Sequence, residues 1–148
     1  SLCVDYAQTG AVDGWRVTAA QRLDVNLLCR LASRLKLRVV GIVPDASALS
    51  AFLPWQPDDV QGLAWRDEAS WRWATADSWG CCPCSDAPSF PDLVSRVNGG
   101  TFRLCASASP DGRSFDAWSA IHRLQPPLPA RGDSFTVALG LALGARQS

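Results

Sequence analysis

The sequence predicts an α+β fold in which an N-terminal amphipathic helix is followed by a loop-rich, mostly antiparallel β domain. Leucines gather on one side of a segment near residue 30, and short stretches of alternating side chains follow it. Turn signals rich in Gly, Pro and Asp punctuate the second half of the chain. These patterns predict an N-terminal segment over residues 1–15, a helix over 16–38 and a β-rich domain over 39–148.

The overall composition excludes several classes of protein. A chain of 148 residues that is 47% hydrophobic, with a mean hydropathy of zero, is typical of one soluble globular domain with a core. No apolar run approaches the ~20 residues that span a bilayer. The formal net charge is zero, so no global field attracts nucleic acid. The chain begins at Ser1 and has no Met, which suggests a piece cut from a precursor.

The predicted helix is the clearest element of the first third. Thr18 and Gln21 have the spacing of a capping box. The segment from Arg16 to Arg38 contains six cations against one acid, Asp24. Such a helix can pack on a sheet, or it can lie on an anionic membrane surface. On the second interpretation the residues in contact with the membrane are Leu27, Leu28, Arg30, Leu31 and Leu35.

Four segments are predicted as β-strands. The β-branched run "LRVVGIV" covers residues 37–43. In "SWRWATA", which begins at residue 70, the indoles and the arginine alternate between two faces. Residues 101–106 alternate in the same way. In "SFTVALGLALG", residues 134–144, large side chains share one face, and small residues leave the other face bare for a close neighbour.

The six cysteines allow three kinds of chemistry. Three disulfides, a metal site and buried thiols are all compatible with the count. Cys81, Cys82 and Cys84 lie close together in sequence, and Cys105 follows after twenty intervening residues. Two close thiols can grip one side of a tetrahedral zinc if further ligands arrive from elsewhere. The spacing alone leaves these alternatives open.

Several short motifs resemble one viral family in order and spacing. These are a C-x-C followed after twenty residues by C, "GLAWRDE" upstream of it, "RVNGGTFRL" before the last cysteine, "PPLPARGDSFTVAL" after it, and the helix "CRLASRLK". Together they resemble domain one of nonstructural protein 5A from hepatitis C-like viruses and their relatives, of the hepacivirus and pegivirus type. The coverage is most of the chain, although each match is short.

The resemblance implies a non-enzymatic zinc module of a viral RNA replication complex. Cys82, Cys84 and Cys105 would be zinc ligands. Ala64 stands where the family has its first ligand, so either Cys81 or Cys29 substitutes for it or the site is incomplete. The helix would hold the protein on the cytoplasmic face of the host endoplasmic reticulum. Viral and host proteins, RNA and a second copy of the chain would be its partners, although the charge balance supports RNA poorly.

The tryptophan-rich region has two interpretations. Indole and guanidinium groups are frequent at binding hot spots, and they also stack on each other. A loop-rich domain can equally need large indoles in its core. The residues predicted for a binding surface are Trp65, Trp71, Arg72, Trp73 and Trp79.

Two further classes of function compete with the viral module. The cysteine count also fits a disulfide-stabilised extracytoplasmic binding module. A cysteine enzyme would use the cluster from Cys81 to Cys84 together with His122, the only histidine in the sequence. His122 is more often structural than catalytic in such a setting, so the prediction is that the protein is not an enzyme.

Overall fold

The structure is a computed structural model that describes residues 1–8, 14–97, 100–106, 113–121 and 132–144. The chain forms two compact units, Ser1–Pro44 and Asp45–Ser148, which we call the N-terminal unit and the C-terminal unit. Helices and strands occur in both, so the predicted α+β class is confirmed. The predicted division into three segments remains a prediction.

The N-terminal unit consists of a β-hairpin and one helix. Strands β1 (Leu2–Gln8) and β2 (Trp15–Gln21) pair antiparallel, in a register that places Leu2 opposite Gln21. Helix α1 (Arg22–Arg34) follows directly and lies against both strands. Lys36, with a φ of 56°, terminates the helix in the left-handed conformation.

The prediction of a helix as the first element is wrong. The chain begins with a strand, and residues 16–21 of the predicted helix belong to β2. Thr18 lies within that strand, and the side chain of Gln21 makes no capping hydrogen bond to α1. Pairing with β1 satisfies the backbone groups of this segment, and that long-range partner has no local sequence signal.

The strand predicted over residues 37–43 is not formed. These residues follow α1 without pairing to any strand in the described part of the chain. β-branched residues favour extended backbone, but a strand also needs a neighbour that accepts its hydrogen bonds. Residues 37–43 therefore have the sequence preference of a strand but no neighbouring strand to pair with in the described part of the chain.

The C-terminal unit is built on a five-stranded mixed sheet. Its strands are β3 (Gly62–Arg66), β4 (Ser70–Thr75), β5 (Trp79–Pro83), β6 (Phe102–Cys105) and β7 (Ser114–Phe115), arranged in the order β5-β4-β3-β6-β7. The strands predicted near residues 70–76 and 101–106 are confirmed as β4 and β6. The prediction of a mostly antiparallel sheet needs correction, since β6 runs parallel to both β3 and β7.

Each face of this sheet is covered by helical structure. Helix α2 (Phe90–Arg96) covers one face, which we call the α2 face, and its residue Leu93 packs against Ala64 and Trp71. A 3-10 helix, Asp45–Trp55, covers the opposite face through Leu49 and Phe52. We call that side of the sheet the 3-10 face. Two shorter 3-10 helices occupy Ala117–Ala120 and Gly132–Phe135.

The strand predicted over residues 134–144 is a helix instead. Helix α3 (Thr136–Gly144) packs on the 3-10 helix Asp45–Trp55. A Cβ added at Gly140 would collide with the carbonyl oxygen of Ala48 and would lie 3.1 Å from the ring of Phe52. The small residues therefore do allow a close neighbour, as predicted. They lie on a helix, however, and the neighbour is the backbone of the 3-10 helix Asp45–Trp55.

Candidate docking surfaces

The four predicted indoles lie on two different faces of the central sheet. Trp71 and Trp73 pack on the α2 face, whereas Trp65 and Trp79 pack on the 3-10 face. Arg72 lies between Trp71 and Trp73 in β4, and its side chain is on the 3-10 face, as the alternation predicts. The structure therefore does not bring these residues together into one surface.

Trp71 is a core residue of the C-terminal unit. Its side chain is 2% exposed, and its Nε1 donates a hydrogen bond of 2.7 Å to the carbonyl of Ala87. The ring of Phe90 lies 6.2 Å away, and the guanidinium of Arg66 lies 5.2 Å from the ring centroid. Trp71 thus ties the segment that leads into α2 to the sheet.

The other three indoles are half-buried. Trp65 donates from Nε1 to the carbonyl of Asp133 at 2.8 Å, which joins β3 to the segment before α3. Trp73 lies over Gly80 of the neighbouring strand, where an added Cβ would come 2.8 Å from the ring. Trp79 packs against the core of the 3-10 face. A binding role for these residues stays a prediction.

Arg72 is the centre of an ionic network on the 3-10 face. Its Nε lies 2.8 Å from Asp45 at the start of the 3-10 helix, and its Nη1 contacts Asp67 and Ser70. Burial opposes its charge, but the two carboxylates outweigh burial and raise the pKa of Arg72. Arg72 also lies 5.8 Å from the ring centroid of Trp65. The network fastens the 3-10 helix to the sheet.

The carboxylate of Asp67 also organises the turn between β3 and β4. Its Oδ1 accepts backbone hydrogen bonds from Ala69 at 2.8 Å and from Ser70 at 2.7 Å. Burial favours the neutral acid, but these two donors and Arg72 outweigh burial and lower the pKa of Asp67 below 3.8. Asp67 therefore stays ionised to a lower pH than an ordinary aspartate does.

The three cysteines predicted as zinc ligands do not converge. Cys82 is buried on the α2 face, and Cys84 packs against the same core just after β5. Cys105 is buried on the 3-10 face in β6, three strands away from β5, which is ~14 Å at ordinary strand spacing. Ligands of one zinc lie within ~4 Å of each other, since each Zn–S bond is about 2.3 Å.

The ligand set behind the zinc prediction therefore does not fit a metal. Among the residues that the structure describes, no group of three His, Cys, Asp or Glu side chains could hold an ion. Cys81, one of the two proposed substitutes, does not complete the set, because it is exposed on the edge strand β5. Zinc as a cofactor of the protein stays an untested prediction.

None of the six thiols takes part in a disulfide in the structure. Burial raises the pKa of the Cys105 thiol to about 12, although the charge of Arg103 opposes this shift, so Cys105 is a poor nucleophile at neutral pH. The disulfide-stabilised alternative therefore gains no support here. His122, the partner that a cysteine enzyme would need, lies outside the described residues.

Helix α1 exposes all of the leucines predicted to contact a membrane. Leu27, Leu28, Leu31 and Leu35 are between 52 and 63% exposed, and Arg30 is exposed beside them. Leu23 is 75% exposed and extends the same face. The less exposed positions of α1 are Val25 and Ala32, which identify the side that packs on the hairpin. We call the exposed set of five leucines the leucine face.

A second apolar surface, which was not predicted, lies on the hairpin. The alternation within "LCVDYAQ" and "WRVTAAQ" is the signal that could have found it. Its large members are between 57 and 69% exposed, and the rings of Tyr6 and Trp15 meet edge to face at 5.8 Å. We call this surface the hairpin face; it comprises Leu2, Val4, Tyr6, Trp15, Val17 and Ala19.

In the part of the chain that the structure describes, every helix is too short or too polar to cross a bilayer.

The comparison that bears on function is with a bacterial protein. No family model matches the chain. The chain is similar to the DNA utilization protein HofM of Escherichia coli (strain K12). The two are 42% identical over 146 residues, which cover 97% of this chain and 54% of HofM. The chain thus spans about half the length of the curated relative that it matches.

This similarity overturns the viral interpretation. Identity of 42% along nearly the whole chain outweighs short matches separated by long unmatched stretches. The predicted relation to nonstructural protein 5A is therefore wrong, and so is the predicted zinc module of a viral RNA replication complex. The predicted location on the endoplasmic reticulum is not supported either, because the matched relative is a bacterial protein.

Proposed function

We propose that the chain takes part in the use of DNA by a bacterium, as a non-enzymatic docking component that attaches to a membrane surface through α1. The similarity to HofM over 97% of the chain carries the role in DNA utilization. The exposure of the leucine face supports docking as the way in which the chain acts.

The side chains of α1 are arranged as in a helix that lies in a membrane interface. Leucines at positions 23, 27 and 31, spaced by one turn, form a continuous apolar strip. Arg30 and Arg34 follow one edge of this strip, and Asp24 in the first turn is the only acid of α1. Long cationic side chains at such an edge can reach lipid phosphates while the leucines enter the acyl region.

Lipid explains this face better than DNA does. A protein positions itself on the phosphates of DNA with cations and polar groups, and that contact would leave five leucines in water. An anionic bilayer uses both features, since it attracts the arginines and removes the leucines from water.

The role in DNA utilization can be tested by exchange. In a HofM chimera, this chain replaces the matched 146-residue region. We expect the chimera to restore growth of E. coli lacking HofM on DNA as the sole carbon source. HofM without the matched region is the negative control, and growth on glucose controls for general fitness. A chimera that accumulates normally but restores no growth would contradict the proposal.

The membrane contact can be tested by co-sedimentation of the chain with vesicles of phosphatidylethanolamine, with and without phosphatidylglycerol. Leu27→Gln combined with Leu31→Gln should reduce binding to anionic vesicles by roughly tenfold or more, because two apolar side chains stay in water. Asn26→Gln combined with Ser33→Gln makes matched changes on the polar side and should leave binding unchanged. Equal binding of both double variants would remove the membrane contact.

A further inference from the structure

The hairpin face differs in chemistry from the leucine face. Its six side chains are apolar, Gln8 and Gln21 stand at its two ends, and it carries no charged residue. Val4, Tyr6, Trp15 and Val17 line a groove of about 280 Å³ on this face. The charged residues of the two strands, Asp5 and Arg16, lie on the opposite face.

An uncharged face that carries Trp, Tyr and valines suits contact with protein. The buried centres of protein interfaces are poor in charge and rich in aromatic residues. Anionic lipid and nucleic acid both select cationic side chains, and the hairpin face offers none. The complementary surface is therefore apolar polypeptide.

The N-terminal unit buries little of its own apolar surface. No described residue among Ser1–Pro44 is buried, and its large apolar side chains point into solvent from both strands and from α1. Chains of about 40 residues rarely bury enough surface to fold without a further stabilising element. A polypeptide that covers the hairpin face would therefore stabilise the N-terminal unit.

The relative is long enough to supply such a polypeptide. HofM has 46% of its length outside the matched region, because the match covers 54% of it. We infer that the hairpin face is an internal interface, and that in a protein of the length of HofM the additional polypeptide packs on Tyr6, Trp15 and their neighbours. This inference does not depend on DNA utilization, since it concerns burial alone.

Hydroxyl-radical footprinting read by mass spectrometry tests this burial directly. Tyr6 and Trp15 should react readily in the chain by itself and at least fivefold more slowly in the HofM chimera. Leu31 of the leucine face provides an internal comparison within the same unit. Equal reactivity of Tyr6 and Trp15 in both proteins would overturn the inference.

Two matched double variants test how much the contact on the hairpin face stabilises the fold. Val4→Thr combined with Val17→Thr keeps the shape and the strand preference but adds two hydroxyls to the hairpin face. The melting temperature of the chimera should fall by roughly 4–10 °C, and that of the chain alone by less than about 2 °C. Ala7→Ser combined with Ala20→Ser adds two hydroxyls to the opposite face and should shift neither protein by more than about 2 °C.

Other occupants of the hairpin face give different results. Protection of Tyr6 and Trp15 in the chain alone that grows with concentration would identify a second copy and overturn the inference. Protection of these residues only on vesicles would identify lipid and would also overturn it. A chimera that accumulates only as insoluble material while HofM stays soluble counts against it too, because the face would then not fit the added polypeptide.

Discussion

The two units of this protein differ in what they bury. In the C-terminal unit, helices cover both faces of a five-stranded sheet, and Leu49, Phe52 and Leu63 are completely buried. In the N-terminal unit, a hairpin and a helix expose many large apolar side chains and bury no described residue. The C-terminal unit therefore supplies its own core, whereas the N-terminal unit presents apolar surface for something else to cover.

The largest expected difference in stability between the two units comes from removing one indole from each. Trp71→Ala should cost about 3–5 kcal/mol of unfolding free energy, because it opens a cavity and leaves the carbonyl of Ala87 without its donor. Trp15→Ala removes a ring that is 60% exposed and should cost under about 1 kcal/mol. Urea denaturation of both variants measures the difference. Similar losses would mean that the N-terminal unit has a core of its own.

A second test concerns the close packing of α3. Gly140→Ala should cost about 1–3 kcal/mol, because the added methyl meets the carbonyl of Ala48 and overpacking outweighs the helix preference of Ala. Gly144→Ala is the matched control, since its nearest neighbour would be Ala51 at 3.9 Å. Thermal unfolding should show a lower melting temperature for the first variant alone. A stabilised Gly140→Ala variant would show that α3 does not approach Ala48 closely.

A third test measures how much the ionic network of Arg72 contributes to stability. Arg72→Gln should cost about 1–2 kcal/mol, because it removes a guanidinium that is only 19% exposed and pairs with both Asp45 and Asp67. Arg96→Gln breaks the more exposed pair with Asp86 at 3.5 Å and should change stability by under about 0.5 kcal/mol. Equal losses in chemical denaturation would show that the Arg72 network is no more than a surface ion pair.

The same network predicts the pH dependence of stability. The folded pKa of Asp67 lies below 3.8, so ionised Asp67 stabilises the fold above pH 3.8. This contribution is lost as the pH falls below 3.8 through the folded pKa. Asp67→Asn should therefore destabilise the protein at neutral pH and weaken the dependence between neutral pH and pH 3. An unchanged pH profile in that variant would argue against the network.

The smallest expected effect is on thiol labelling, which leaves the fold intact. Cys29 of the N-terminal unit and Cys81 are exposed and should react with a maleimide within minutes at pH 7.5. Cys105 should stay unmodified in the folded protein, because it is buried and its pKa is about 12. Mass spectrometry of the labelled peptides identifies the sites. Rapid labelling of Cys105 would show that the 3-10 face is open.

The comparison between the units also shows what could be predicted from the sequence. The alternation of Trp71, Arg72 and Trp73 located β4 and assigned its faces, because a strand is a local pattern of period two. Residues 134–144 follow the same period, yet residues 136–144 form α3. Gly and Ala fit a helix that approaches Ala48 as well as they fit a bare strand face, so the tertiary contact decides.

The candidate sites were less predictable for a related reason. The spacing of Cys82, Cys84 and Cys105 in sequence contains no information about the order of the strands, which separates them between two faces. The leucines of α1 were found because a helix repeats locally. The hairpin face was missed because it exists only after β1 pairs with β2, and that pairing brings Tyr6 beside Trp15.

Hydrogen exchange read by mass spectrometry tests most directly whether the N-terminal unit lacks a core of its own. In the chain by itself, amides of β1 and β2 should exchange at least a hundredfold faster than those of β3 and β4, because no described residue of the hairpin is buried. Comparable slow exchange in both units would contradict the account, since the N-terminal unit would then be stable without a cover.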